Sequence, residues 1–216
     1  MKVVTREHRV PLPAPAHEGR LSLEQALTRR RSARHFARKP LDLAKLGQLL
    51  WATQGITRLD GSRTTPSAGA AYPLEVHVVA GAVQDLWPGH YRYLPRRHQM
   101  LELAQGDLRE ELARVAEQQE WIAEAAAVLV VTAVAERTTF THGARGERYV
   151  EQEVGCAAQN LQLQAVSLRL ASAVVGAFDD DEVARILGLF TWERPHVLLP
   201  VGHVPDPVRG ERGVEC

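Results

Sequence analysis

The hydrophobic period changes twice between Val128 and Ala177, and that pattern constrains the fold more than any other stretch. Val128–Val134 is apolar apart from Thr132, as expected of a strand buried on both faces. From Tyr149 to Leu170, Val154, Ala158, Leu161, Ala165 and Leu168 recur every three or four positions, the spacing of one helix face. Ser172–Ala177 then returns to strand length. A strand, a long amphipathic helix and a second strand in succession require a sheet with a helix layered against it.

The flanking sequence supplies more of the same. Ser22-Leu-Glu-Gln25 is a capping box opening a short helix that runs into an arginine cluster. Pro40 interrupts the chain, and Asp42 is expected to cap a second helix with Leu43, Leu46, Leu49 and Leu50 on one face and Gly55 at its end. Ile56–Pro73 is rich in Gly, Ser, Thr and Pro and reads as a long loop, a feature usually tied to function in a compact domain. Val76–Val83 is a strand; His90–Leu94 and Met100–Leu103 form a hairpin; Asp107–Glu110 caps a further helix. Asp179–Asp181 open another helix, favoured there by their charge, and His196–Val201 is the last strand. Residues 1–20, with Pro11, Pro13 and Pro15, read as an extended arm, 21–203 as one domain, and 204–216 as a charged Gly/Pro tail. The expected class is α+β around one sheet.

Lys plus Arg (26) balances Asp plus Glu (26), so nothing points to a nucleic acid or an acidic membrane surface. The longest apolar run, Ala125–Ala135, is too short to span a bilayer. Met1–Arg20 lacks the apolar core of a signal peptide, and Cys156 and Cys216 make a poor disulfide pair, so a reducing cytoplasm is expected. Cys156 reads as a small packing residue in the long helix, and Trp51 and Trp121 as core or dimer-contact aromatics. No dinucleotide glycine fingerprint, P-loop or zinc motif occurs, and no metal site is expected. Thr65-Pro-Ser67-Ala-Gly69 misses the first glycine of a nucleophile elbow and precedes a strand, which argues against a serine hydrolase.

Arg30-Arg31-Ser32-Ala-Arg34 puts three guanidinium groups and a hydroxyl at a helix end. Guanidinium forks bind phosphate oxygens in bidentate geometry, and the same residues also suit a solvated helix C-terminus stabilised by its dipole. Together with Leu49–Ile56, Arg63–Glu75, Ala157–Leu161 and Val175–Asp180, this segment resembles the nitroreductase superfamily. Within it, the likeness is to the branch of SagB-like azoline dehydrogenase components of peptide-modifying systems. The five stretches lie in order over nearly the whole chain.

The resemblance implies a central, mainly antiparallel sheet flanked by helices, and an arm-exchanged homodimer with FMN at the interface. Arg30, Arg31, Ser32 and Arg34 then hold the phosphate, ribityl chain and pyrimidine edge, with Arg34 the cation that favours the reduced ring. Pro66, Ser67, Ala68 and Gly69 correspond to the segment lying along the ring from the partner subunit, where small residues allow close backbone approach; a plain turn would use the same residues. Val175, Gly176 and Ala177 correspond to the amides at the reactive edge, and Arg209 to a phosphate contact in the tail. The implied activity is ping-pong hydride transfer between NAD(P)H and an electrophilic acceptor such as a nitro compound or quinone. The alternatives are azoline-to-azole oxidation of a heterocycle or peptide, or a flavin-binding partner without turnover. Where the azoline dehydrogenases carry a Lys-Tyr pair, this chain reads Glu147-Arg148-Tyr149. Arginine is a poor base, leaving Tyr149 as the catalytic candidate.

Overall fold

Strand β5 (Ala127–Ala133) shows how the layers form. Its seven residues are all buried, and their period of two sends Ala127, Leu129, Val131 and Ala133 to one face and Val128 and Val130 to the other. Both faces must therefore be covered, and both are. The computed structural model describes residues 8–205.

Seven strands form one sheet in the order β1-β4-β3-β2-β5-β7-β6, with every neighbouring pair antiparallel. Beyond β5 these are β1 (Arg9–Pro11), β2 (Leu74–Ala80), β3 (Gly89–Leu94), β4 (Gln99–Gln105), β6 (Leu170–Ser172) and β7 (Arg194–His203). Helices α2 (Leu43–Gln54) and α6 (Arg145–Ser167) cover one face. Leu46, Leu49 and Leu50 of α2 are fully buried against Val150, Val154, Ala157 and Leu161 of α6 and the sheet. Each such leucine contributes about 1.5–3 kcal/mol relative to exposure. The opposite face takes α3 (Arg109–Val115), α4 (Trp121–Glu124) and α7 (Asp180–Leu187), which bury Leu112, Ile122, Val183 and Leu187 on Val79, Val128, Val130 and Leu198. Two short helices, α1 (Leu23–Arg29) and α5 (Glu136–His142), lie at the ends of the α6 layer.

The capping box at Ser22 and Gln25 forms in both directions, and Asp179 caps α7 by accepting from the Glu182 amide. Asp42 sits at the N-cap of α2 but bonds no backbone amide; its carboxylate pairs with Lys45 at 3.3 Å instead. Helix α6 begins at Arg145, four residues before the periodic stripe, because α5 and a turn at Gly143 already bring the chain back onto the layer. The Ser172–Ala177 strand is displaced: β6 ends at Ser172, and only Val175 rejoins β7, through Leu198. Cys156 faces outward from α6 and is exposed in the protomer, so it does not pack the core.

The chain before α1 folds back on its own protomer. Arg9–Pro11 adds an edge strand to β4, and the side chain of Gln48 takes both the amide and the carbonyl of Ala16, at 2.8 and 3.0 Å. No helix among the described residues is long and apolar enough to cross a membrane.

Candidate active site

The arginine segment leaves α1 at Arg30, whose amide still bonds the Ala26 carbonyl at 3.0 Å. It then runs extended beside β6, tied down by Ala33 N to the Ser172 carbonyl (3.0 Å) and Ala37 N to the His203 carbonyl (2.9 Å). Phe36 is the apolar anchor, buried with Ala125 and Ala171. This fixes the polar residues outward: Arg30 is half-buried, and Arg31, Ser32 and Arg34 are exposed. Arg31 Nη1 donates to the carbonyls of Thr28 and Arg30, and the Arg34 guanidinium lies 6.0 Å from the Trp121 ring. None of the three guanidiniums pairs with a carboxylate among the described residues. Three cations within five residues and no counter-ion form a donor set suited to an anionic ligand.

Strand β6 carries that segment's neighbour straight into Val175–Ala177. Val175 is buried and exchanges both backbone bonds with Leu198 at 2.9 Å. Gly176 and Ala177 are exposed, and neither donates its amide to another described residue. A β-carbon built on Gly176 meets no atom within 4 Å. Two free amides beside open space and next to a cationic strip fit a flat, anion-tailed cofactor such as FMN.

The Pro66–Gly69 loop is held at the N-terminal half of α6. Glu153 Oε1 accepts from Ala68 N (2.8 Å) and Ser67 Oγ (3.0 Å), and Ser67 Oγ accepts from Tyr72 N at 2.8 Å. Asn160 Nδ2 donates to Thr65 Oγ1 and the Thr64 carbonyl, while Arg63 lies 4.7 Å over the Tyr72 ring and donates to Gln54. Ala68–Ala70 makes one 3₁₀ turn with Gly69 at φ 60°, a conformation glycine adopts without strain. The His142 imidazole closes over it; its Nε2 is buried with no partner among the described residues, 3.0 Å from where a Gly69 β-carbon would sit. Tyr149 packs edge-on against His142 at 5.2 Å, and its hydroxyl oxygen accepts from Arg145 Nε at 3.2 Å.

Two groups of residues therefore come together separately. Arg30–Arg34 and Val175–Ala177 share the β6 edge, whereas Pro66–Gly69 and Tyr149 share the start of α6. No hydrogen bond or ring contact joins the two groups among the described residues. Arg209 lies outside the described residues.

Glu153 and His142 have no part in the sequence reading, and Arg63 and Asn160 enter it only within the stretches Arg63–Glu75 and Ala157–Leu161, with no role of their own. Glu153 left a signal: it is an acid between Val150 and Ala157, which share its helix face, and it is 5% exposed. Burial raises its carboxyl above the ordinary range, partly offset by the bonds from Ala68 and Ser67 and by Arg63.

The Nitroreductase family profile matches residues 27–203. The chain belongs to the nitroreductase family. A Methanocaldococcus jannaschii protein with a provisional nitroreductase name is 44% identical over 182 residues, covering 84% of this chain and 91% of its own. The crystal structure of a Ralstonia eutropha protein, also provisionally named a nitroreductase, superposes with TM-score 0.82 at 29% identity over 95% of this chain and 93% of that one. A Vibrio harveyi NADPH:FMN oxidoreductase solved with NAD+ shares the fold, with TM-score 0.63 at 19% identity over 86% and 69% of the two chains. As a member of the nitroreductase family, this protein is an oxidoreductase.

Proposed function

We propose that the protein is a homodimeric FMN-dependent oxidoreductase passing hydride by ping-pong chemistry from NAD(P)H to an electrophilic acceptor. The observation that carries this reading is the union of an unpaired guanidinium strip with the free amides of Gly176 and Ala177 on one sheet edge. Arg30, Arg31, Ser32 and Arg34 would hold the phosphate and pyrimidine edge, and Val175–Ala177 the reactive edge. When bound, FMN supplies the centre that takes up and releases hydride.

The second group of residues, Pro66–Gly69, would join the same site from the other subunit, as the family resemblance implies. The lack of any bond between the two groups among the described residues supports that arrangement, since a two-fold axis can bring the start of one α6 to the β6 edge of its partner. Tyr149, packed on the His142 ring beside the loop, is then the proton-holding side chain offered to the substrate, with Arg145 orienting its hydroxyl.

Anaerobic mixing of the FMN-loaded protein with NADH, followed by a quinone, tests the reading. Bleaching of the flavin colour by NADH and its return with quinone, with parallel double-reciprocal plots in steady state, are expected. A flavin that NADH leaves coloured would favour the dehydrogenase of a heterocycle or a partner protein without turnover.

A further inference from the structure

The Pro66–Tyr72 segment holds an unusual backbone. Gly69, Ala70 and Tyr72 all have positive φ, at 60°, 54° and 49°, and two of the three carry a β-carbon. Such conformations persist only where the surroundings over-determine them. Arg137 Nη1 donates to the Tyr72 carbonyl at 3.0 Å and the turn has its own backbone bonds, but its start is held by one carboxylate oxygen. Glu153 Oε1 takes the Ala68 amide and the Ser67 hydroxyl, and Ser67 passes the constraint on to Tyr72 by accepting its amide. The clamp spans the whole strained turn from a single position on α6.

Packing does not explain an acid there. Glu153 is 5% exposed and lies on the helix face that buries Val150 and Ala157. Burying a carboxylate is costly even when it is hydrogen-bonded, and no arginine or lysine among the described residues forms an ion pair with it. Arg63 is the cation that lowers its pKa, and that guanidinium is engaged with Gln54 and the Tyr72 ring. A fully buried apolar residue would serve the core as well; what it would not do is hold Ser67 and Ala68.

We propose that Glu153 is a positioning residue for the bound cofactor. Its side chain presents the Pro66–Gly69 backbone in the one geometry that lets those small residues lie along the flavin, and it acts through Ser67 and Ala68 without touching the ring. The proposal rests on the FMN reading above. It makes the loop's geometry, rather than the core, the property that Glu153 sets.

The test compares Glu153→Ala, Glu153→Gln and Ser67→Ala by FMN titration of the full-length apoprotein, the visible circular dichroism of the bound flavin, and thermal melting of the apoprotein. Glu153→Ala is expected to weaken FMN binding about tenfold or more and to change the dichroism, as removal of a charged acceptor from two donors requires. Glu153→Gln keeps an oxygen that accepts both donors and is expected to stay within about threefold of wild type. Ser67→Ala, which breaks the relay to Tyr72, is expected to reproduce the direction of the Glu153→Ala effect, and it carries the test if Glu153→Ala fails to fold. A folded Glu153→Ala protein that melts lower yet keeps wild-type affinity and dichroism would reduce Glu153 to a structural role, and a Gln variant no better than Ala would overturn positioning by geometry. Wild-type protein that binds no FMN would instead sink the flavin reading itself, a distinguishable result.

Discussion

The amide of Ala33 donates to the carbonyl of Ser172 at 3.0 Å, and this bond ties the arginine segment to the strand that leads into Gly176. Residues 139 positions apart in sequence thereby become one wall. At Gly176 a β-carbon would meet no atom within 4 Å, so Gly176→Ala should change the apoprotein's stability by less than about 0.5 kcal/mol. Because the added methyl group would stand where the cofactor is proposed to approach, the same variant should lose FMN affinity. Melting and titration on one preparation separate the two effects.

Gly69 behaves in the opposite way. Its φ of 60° and the His142 Nε2 at 3.0 Å from a β-carbon position make Gly69→Ala strained on two counts. A loss of about 1–3 kcal/mol is expected by urea unfolding. Adding His142→Ala should recover the steric part, so the double variant should be more stable than the sum of the singles predicts. Additive losses would show that the imidazole does not press on the turn.

Acid stability should be governed by a buried polar cluster on the second sheet face. His77 bonds His90 at 2.8 Å and Glu193 at 2.7 Å, Thr132 Oγ1 also donates to Glu193, and Arg92 lies nearby. Burial, then the neighbouring His77, push His90 down from 6.5 to about 3. The unfolded chain therefore takes up this proton first, and stability is lost as pH falls from about 6.5 towards 3. Burial raises Glu193, but the bonds from His77 and Thr132 and nearby cations outweigh it, so its contribution is lost in the same direction, below its unfolded value of 4.5. His90→Gln should flatten the stability profile between pH 6 and 4, measured by urea unfolding at each pH. A profile as steep as wild type would place the acid sensitivity elsewhere.

The absence of any bond between the two groups of site residues among the described residues gives a prediction about subunits. If each site takes Arg30 from one chain and Pro66–Gly69 from the other, an Arg30→Ala dimer and a Ser67→Ala dimer are both impaired. Random re-pairing of the two should restore about a quarter of the sites, since about half the dimers are mixed and each holds one intact site. Flavin binding that does not rise on mixing would mean that both groups serve a site within one chain.

What the sequence made legible is what short-range physics encodes. The capping box of Ser22 and Gln25, the Asp179 cap and the stripe of α6 depend on spacings of three and four residues, and all three are present. The strands of the central sheet are legible because period two and apolar runs suffice to mark them. The Ala33–Ser172 bond, the Glu153 clamp across 85 residues and the His77–Glu193 pair across 116 leave no local periodicity. Helix α5, Glu136–His142, was missed for a related reason: it has a single buried residue, Thr138, and so no apolar stripe. The small residues of the loop are legible, but the bonds that tie it to Glu153 and Asn160 of α6 are not.

Equilibrium titration of the apoprotein with FMN asks whether the cationic strip at Arg30–Arg34 holds an anionic flavin. Wild-type protein should bind, and Arg30→Ala, whose guanidinium has no carboxylate partner among the described residues, should melt as wild type does while binding FMN about ten- to a hundredfold more weakly. Undiminished affinity in a folded Arg30→Ala protein, or no FMN binding by the wild type, would contradict the account.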